Sequence, residues 1–252
     1  MEIFLIIIFA FLGGAVGSFL NVCIDRLPAS KSLVFPPSHC DTCQRKLSFL
    51  ELVPVLSFLA LRGRCRSCGV RIPRRVFWVE LGTAFFFAFS FWYYGWTIPL
   101  ATTLLYGSLF IAIMVIDLEH NLILNRITYP AIVLTLIIDA LLPEPGIVMG
   151  ALGAGVGFII LLLPALIFRG GMGWGDVKLA ALIGAVTGFP LVFVALLVGV
   201  IGGGLIAIAL LITGRKKRRD TLPFGTFLAL ATIVTLFWGN DLLNWYVRFF
   251  NL

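Results

Sequence analysis

Long apolar runs separated by brief polar breaks organise this chain. Eight of them stand out, at about 3–23, 76–95, 98–116, 128–143, 147–168, 177–189, 190–212 and 222–239. Most approach or exceed the roughly 20 residues a helix needs to cross a bilayer. Pro143-Glu144-Pro145-Gly146 and Gly188-Phe189-Pro190 mark turns between them. The pattern predicts an all-α polytopic membrane protein of about eight transmembrane helices, with 128–143 and 177–189 the shortest. The first run follows a lone Glu2, lacks a basic leader and shows no Ala-x-Ala signal, so it reads as a retained helix. The gap at 24–75 is the only piece large enough to form a domain outside the bilayer. The expected organisation is therefore a first helix at 1–23, an extramembrane domain at 24–75 and a membrane domain at 76–252.

Composition agrees with this pattern: 60% of the 252 residues are hydrophobic and 12% charged, against about a quarter charged in soluble domains. The charges set orientation, because Lys and Arg collect on short cytoplasmic loops. Ten of the 19 basic residues lie in 24–75 and five at 215–219, with Arg126, Arg169 and Lys178 on the same predicted face. Only Arg248 falls on the other side, so both termini are expected outside the cytoplasm. The net charge of +7 is thus a topology signal first and an attraction to anionic membrane lipids second. Nucleic-acid binding is not expected, since these residues lie against a membrane.

The 24–75 segment holds "CDTC" at Cys40 and Cys43 and "CRSC" at Cys65 and Cys68. Two Cys-x-x-Cys pairs 21 residues apart have the spacing of a zinc ribbon, each pair offering two thiolates to a tetrahedral ion. A piece this small has little core, so a structural Zn2+ suits it. A reducing cytoplasmic face disfavours stable disulfides. His39 stands beside the first pair, but four cysteines already complete a shell, and Cys23 reads as a small apolar residue. A redox pair is the competing reading of these thiols.

Ionisable residues at or inside spans are expensive and so mark function. Here they are few: Asp117, Asp139, Asp176, Glu80 near the start of the second span, and Lys178 in the first turn of the sixth. The topology puts Asp117 and Asp176 at one membrane surface. Two neighbouring carboxylates share a proton, as an aspartic protease requires. Gly170, Gly171, Gly173 and Gly175 remove bulk ahead of Asp176, which gives a substrate backbone access to the carboxylate, and permit positive φ angles. The bland alternative makes Asp176 a helix N-cap and Asp117 a solvated interfacial acid.

At these residues the sequence resembles the type IV prepilin leader peptidase family of GxGD membrane aspartic proteases. The segments concerned are "GSFLNVCIDRLP" at 17–28, the Cys knuckles with "GRCRSCGVRIPRR" at 63–75, "DLEHNLILNRIT" at 117–128, "GMGWGDVKLAALIGAVTG" at 171–188 and "PFGTFLAL" at 223–230. The resemblance implies that Asp117 and Asp176 are the catalytic pair, that Gly173 and Gly175 flank it, and that Glu80 matches an acid of the second span. It implies zinc on the four cysteines and a prepilin or pseudopilin substrate, cut after the Gly of a basic leader at the cytoplasmic face of the bacterial inner membrane. Many members also methylate the new N-terminus with S-adenosylmethionine. Departures include Asp41 where the family often has Pro, Leu124 and Asn125 where it often has Pro-Asp, and Thr226 where Pro is frequent. Glu51 and Glu119 are further acids placed to meet a basic leader, or simply solvated loop charges. A membrane thiol-disulfide oxidoreductase and a proton-coupled transporter are the rival functions. Oligomeric state is left open by the sequence.

Overall fold

The computed structural model describes residues 1–167, 173–214 and 222–249. It is all α apart from short bridges in the cysteine-bearing loop. The chain divides into two compact units, Met1–Ala112 and Ile113–Leu252.

In the first unit, α1 (Glu2–Arg26) packs along α3 (Arg74–Tyr94). Glycines on α1 set how close the helices come. A Cβ at Gly17 would lie 2.8 Å from Glu80 Cα, and one at Gly13 would lie 2.7 Å from Phe87 Cβ. Phe9 stacks on Phe91 with ring centroids 4.4 Å apart. Toward the other end Asn21 Nδ2 donates to Val76 O at 3.1 Å, and Arg75 pairs with Asp25 at 2.7 Å. The pairs 9–91, 17–80, 21–76 and 25–75 show an antiparallel register. The loop between these helices carries a single 3-10 turn (Phe49–Leu52) and the short α2 (Leu56–Ala60).

α4 (Ile98–His120) begins in the first unit and ends in the second. The second unit continues with α5 (Asn125–Leu141), α6 (Gly146–Ile167), α7 (Trp174–Thr187), α8 (Leu191–Ile212) and α9 (Phe224–Phe249). α7 packs against α5, α6, α8 and α9, and Val177, Leu179, Ala180, Leu182, Ile183 and Ala185 are all fully buried. A helix apolar on every side is a core helix. Its tightest neighbour is α6, where Gly153 meets the Gly184 carbonyl and Gly157 the Ala180 carbonyl, leaving no room for a Cβ at either. α8 and α9 cross similarly, with Gly199 on Leu228 and Gly203 on Phe227. Small residues at such crossings let backbones approach where lipid supplies no hydrophobic drive. Thr135, Thr187, Thr232 and Thr235 bury their hydroxyls by donating to the carbonyl four residues back, the solution a water-free interior demands.

The outward faces are apolar. Leu152, Ile159, Leu163, Leu197, Ile201 and Leu205 are all exposed on α6 and α8, a surface that water would not tolerate. Six of the described helices, α1, α3, α4, α6, α8 and α9, are long and apolar enough to cross a membrane. The protein is therefore an all-α polytopic membrane protein. The two shortest predicted spans correspond to α5, with 17 residues, and α7, with 14. Neither is among those six. The last helix exceeds its predicted end at 239 and continues to Phe249, so Trp245 and Tyr246 lie on a helix.

Candidate active site

Asp117 lies near the C-terminal end of α4. Asn121, at φ 51°, closes that helix by donating its amide to Asp117 O at 2.8 Å. The chain then passes Leu122, Ile123 and Leu124 before α5 begins. Asp117 is only 4% exposed, so it is not a solvated interfacial acid. Its Oδ2 accepts the Thr226 amide N–H at 2.7 Å, and the Thr226 hydroxyl lies 3.0 Å away. The same hydroxyl is 3.2 Å from Met114 O. The start of α9 thereby fixes the rotamer of an acid on α4.

Asp176 sits in the first turn of α7. The N-cap is Gly173, and Asp176 is three residues inside, its amide donating to Gly173 O at 3.1 Å. It is thus not the N-cap residue, but its carboxylate accepts the amide N–H of Gly173, which is. The segments that carry the two acids converge on Ile123. A Cβ on Gly175 would lie 3.0 Å from Ile123 Cβ, and one on Gly225 would lie 2.8 Å from Ile123 Cδ1 and 3.1 Å from Asp117 Oδ2. Asp176 is within Coulombic reach of Asp117.

The glycines behave differently from expectation. Gly173 has an ordinary φ of −76°, and Gly175 is helical, so neither uses the left-handed region. Gly175 makes room for Ile123. A Cβ on Gly173 would meet only ordinary contacts among the described residues, the nearest being Asp176 Oδ2 at 3.4 Å. Gly170 and Gly171 lie outside the described residues, as do Arg169 and residues 215–219. Lys178 donates to Asn125 Oδ1 at 3.0 Å and lies over the Tyr129 ring at 5.3 Å. It ties α7 to α5. Asp139 is buried farther along α5, against Gly150, and has no part in the pair. Glu80 belongs to the first unit, where its Oε2 accepts the Val55 amide at 2.7 Å.

The cysteines form two similar knuckles. In each the first Cys N–H donates to the residue five ahead, Cys40 to Arg45 O and Cys65 to Val70 O, and the chain turns through positive φ at Gln44 and Gly69. All four Sγ atoms lie within 4.8 Å of one another, with Cys40 and Cys68 at 3.7 Å. A tetrahedral zinc with Zn–S bonds of about 2.3 Å spaces its sulfurs by about 3.8 Å. Amide N–H groups of Cys68 and Ser67 hold the Cys65 thiol down to about 6. Cys68 stands at about 11, because desolvation and the neighbouring thiols outweigh the Val70 amide that favours its ionisation. Thiols that share charge this way suit a cation. The donor set fits Zn2+, and purified protein should contain about one zinc per chain, lost when all four Cys become Ser. Elemental analysis checks this.

Nearby, Ser48 and Glu51 form a capping box that also holds Arg45. The Ser48 amide and hydroxyl, then Arg45, keep Glu51 at about 2. Glu51 is therefore already engaged, neither a free partner for a basic leader nor a solvated charge.

Residues 11–94 match the family described as Bacterial Peptidase A24 N-terminal domain, and residues 104–208 the type IV leader peptidase family. A "Prepilin leader peptidase/N-methyltransferase" of Bacillus subtilis (strain 168) is 36% identical over 242 residues, covering 96% of this chain and 97% of the relative. The chain belongs to the type IV leader peptidase family. Relatives of the same name in Xanthomonas campestris pv. campestris and Pseudomonas aeruginosa are 34% and 30% identical, covering 96% and 94% of this chain and 94% and 92% of theirs. No solved structure matches.

The leader-peptidase match contains Asp117 and Asp176 but ends before Gly225 and Thr226. Sequence reasoning noted Thr226 only as a departure and passed over Ile123. A hydroxyl beside a glycine at the start of an apolar run was the available signal for Thr226. Ile123 carries no such signal, since one more aliphatic residue is unremarkable until folding brings Gly175 and Gly225 against it.

Proposed function

We propose that this chain is a prepilin or pseudopilin leader peptidase that also methylates the new N-terminus. Asp117 and Asp176 are the catalytic pair. The single observation that supports this reading is the junction of α4, α7 and α9, where Gly175, the neighbour of Asp176, and Gly225 both abut Ile123 and Thr226 holds Asp117. The family relation supports the substrate class, and the relatives' printed names support both activities.

The chemistry needs neither a metal at the acids nor a covalent intermediate. The ionised carboxylate takes a proton from water while the water oxygen attacks the carbonyl carbon of the leader's terminal Gly. The protonated carboxyl hydrogen-bonds the carbonyl oxygen as charge builds there. Collapse of the tetrahedral species breaks the C–N bond, and the acquired proton leaves on the new amine. Gly173, whose Cβ position lies 3.4 Å from Asp176 Oδ2, is the approach for the substrate backbone. The zinc on the four cysteines is structural and lies outside this sequence of steps. S-adenosylmethionine supplies the methyl group, and no residue of this chain is assigned to it.

The eight-span topology belongs to the same proposal. α5 and α7 cross as short helices shielded by their neighbours. With the basic loops inside, the acids face the cytoplasm of the bacterial inner membrane, where a basic leader meets its hydrophobic helix. The 24–75 segment is then the cytoplasmic zinc-binding region and 76–252 the protease domain.

The test is incubation of purified protein with a prepilin, with and without methyl donor. Mass spectrometry should find a product shortened to the residue after the leader Gly, heavier by one methyl only with donor present. Uncut prepilin from a folded, zinc-containing preparation would refute the reading.

A further inference from the structure

We propose that residues 49–60 form a re-entrant segment that dips into the lipid bilayer beside α1 and α3, so that the zinc-binding loop is held by a membrane-inserted hairpin. The segment reads "FLELVPVLSFLA" and carries one charge, Glu51, already neutralised by Arg45. Its side chains face outward: Phe49 is 83% exposed, Leu50 74%, Leu56 53% and Leu59 57%. In water such a cluster would be a liability.

Depth along the helices identifies what covers it. The Asp25–Arg75 ion pair marks the polar rim of the α1–α3 pair. Pro54 lies against Gly14 of α1, its Cβ 3.2 Å from where a Gly14 Cβ would be. Gly14 precedes Asp25 by 11 residues, about 16 Å of helix. Half the hydrocarbon thickness is only about 15 Å. The tip of the segment therefore reaches well into the apolar layer. Phe58 marks the return toward the rim, its ring 5.1 Å from that of Phe77 on α3, two residues from Arg75.

Non-helical backbone at that depth must be satisfied by protein. The tip meets this demand. Pro54 has no amide hydrogen, and Leu56 N–H turns back to Pro54 O at 2.6 Å. Val55, a β-branched residue at φ 61°, donates its amide to Glu80, which is only 5% exposed. A carboxylate buried on a spanning helix is costly, and the amide at this turn gives Glu80 a purpose. It is a positioning residue for the re-entrant tip. On both sides the segment is short helix, the 3-10 turn and α2, so most of its remaining backbone bonds are internal.

The experiment places a photo-crosslinking amino acid singly at Leu50, Leu56, Leu59 and, as a control, Ser67. Each full-length protein is reconstituted into phosphatidylethanolamine–phosphatidylglycerol vesicles, and zinc content confirms folding. Irradiation should yield lipid adducts at 50, 56 and 59 and none at 67. Absence of lipid adducts at the three apolar sites would overturn the proposal. So would their replacement by prepilin adducts when substrate is added, which would make the face a protein-docking surface. Replacing Glu80 adds a separate readout. Glu80→Gln keeps an acceptor for the Val55 amide and should retain the adducts, whereas Glu80→Leu should lose them.

Discussion

Asp117→Asn and Asp176→Asn should each slow prepilin cleavage by about 10²–10⁴-fold, the scale of a lost general acid–base group. Each change keeps shape and volume. An amide oxygen at position 117 still accepts the Thr226 N–H that now reaches Asp117 Oδ2 at 2.7 Å, so the α4–α9 contact survives. What disappears is the ability to take or hold a proton. An amide oxygen at position 176 can still accept the Gly173 amide N–H that the carboxylate now accepts, so this variant should leave α7 intact. Initial rates on a purified prepilin, with thermal unfolding recorded in the same detergent, separate chemistry from folding. An unchanged melting transition with the rate nearly abolished is the expected pair of results.

Gly225→Val should cost about 10²-fold in kcat without touching either acid, because a displacement near 1 Å at a catalytic group is enough for such a loss. Even a bare Cβ at Gly225 would stand 3.1 Å from Asp117 Oδ2 and 2.8 Å from Ile123 Cδ1. Ile123 can swing its terminal methyl aside, whereas Asp117 is held by the next residue, Thr226. The two γ-methyls of valine would force the carboxyl away from Thr226 and from Asp176. Gly225→Ala should show a smaller loss, since its one methyl meets only a tight contact. Zinc content should not change, because the cysteines lie in the other unit. Single-turnover cleavage by the Ala and Val variants checks the graded effect.

The parts of this molecule written locally were legible in its sequence. A lipid-facing helix must be apolar along most of its length, so every predicted run has a helix. The four-cysteine cluster was equally visible, since each knuckle is a few residues long and the fold needs only to bring two of them together. Asp117 and Asp176 stood out because acids near spans are rare. The rest depends on which helix meets which. α7 is short because its other neighbours, rather than lipid, surround it, and no run length reveals that. Gly175 looked like substrate space and instead admits Ile123. Glu51 looked solvated and closes a capping box with Ser48 and Arg45. Thr226 was only a departure from a pattern until α9 was seen to deliver its amide to Asp117. In each case a side chain's role was set by a partner distant in sequence.

The central claim is that Asp117 and Asp176 act on one water as a unit. A double-mutant cycle tests it most directly, comparing prepilin cleavage by wild type, Asp117→Asn, Asp176→Asn and the double variant. Groups that act together are grossly non-additive, so the double variant should be about as slow as either single one. Multiplying losses, or a single variant that cleaves at the wild-type rate, would contradict the shared-water mechanism.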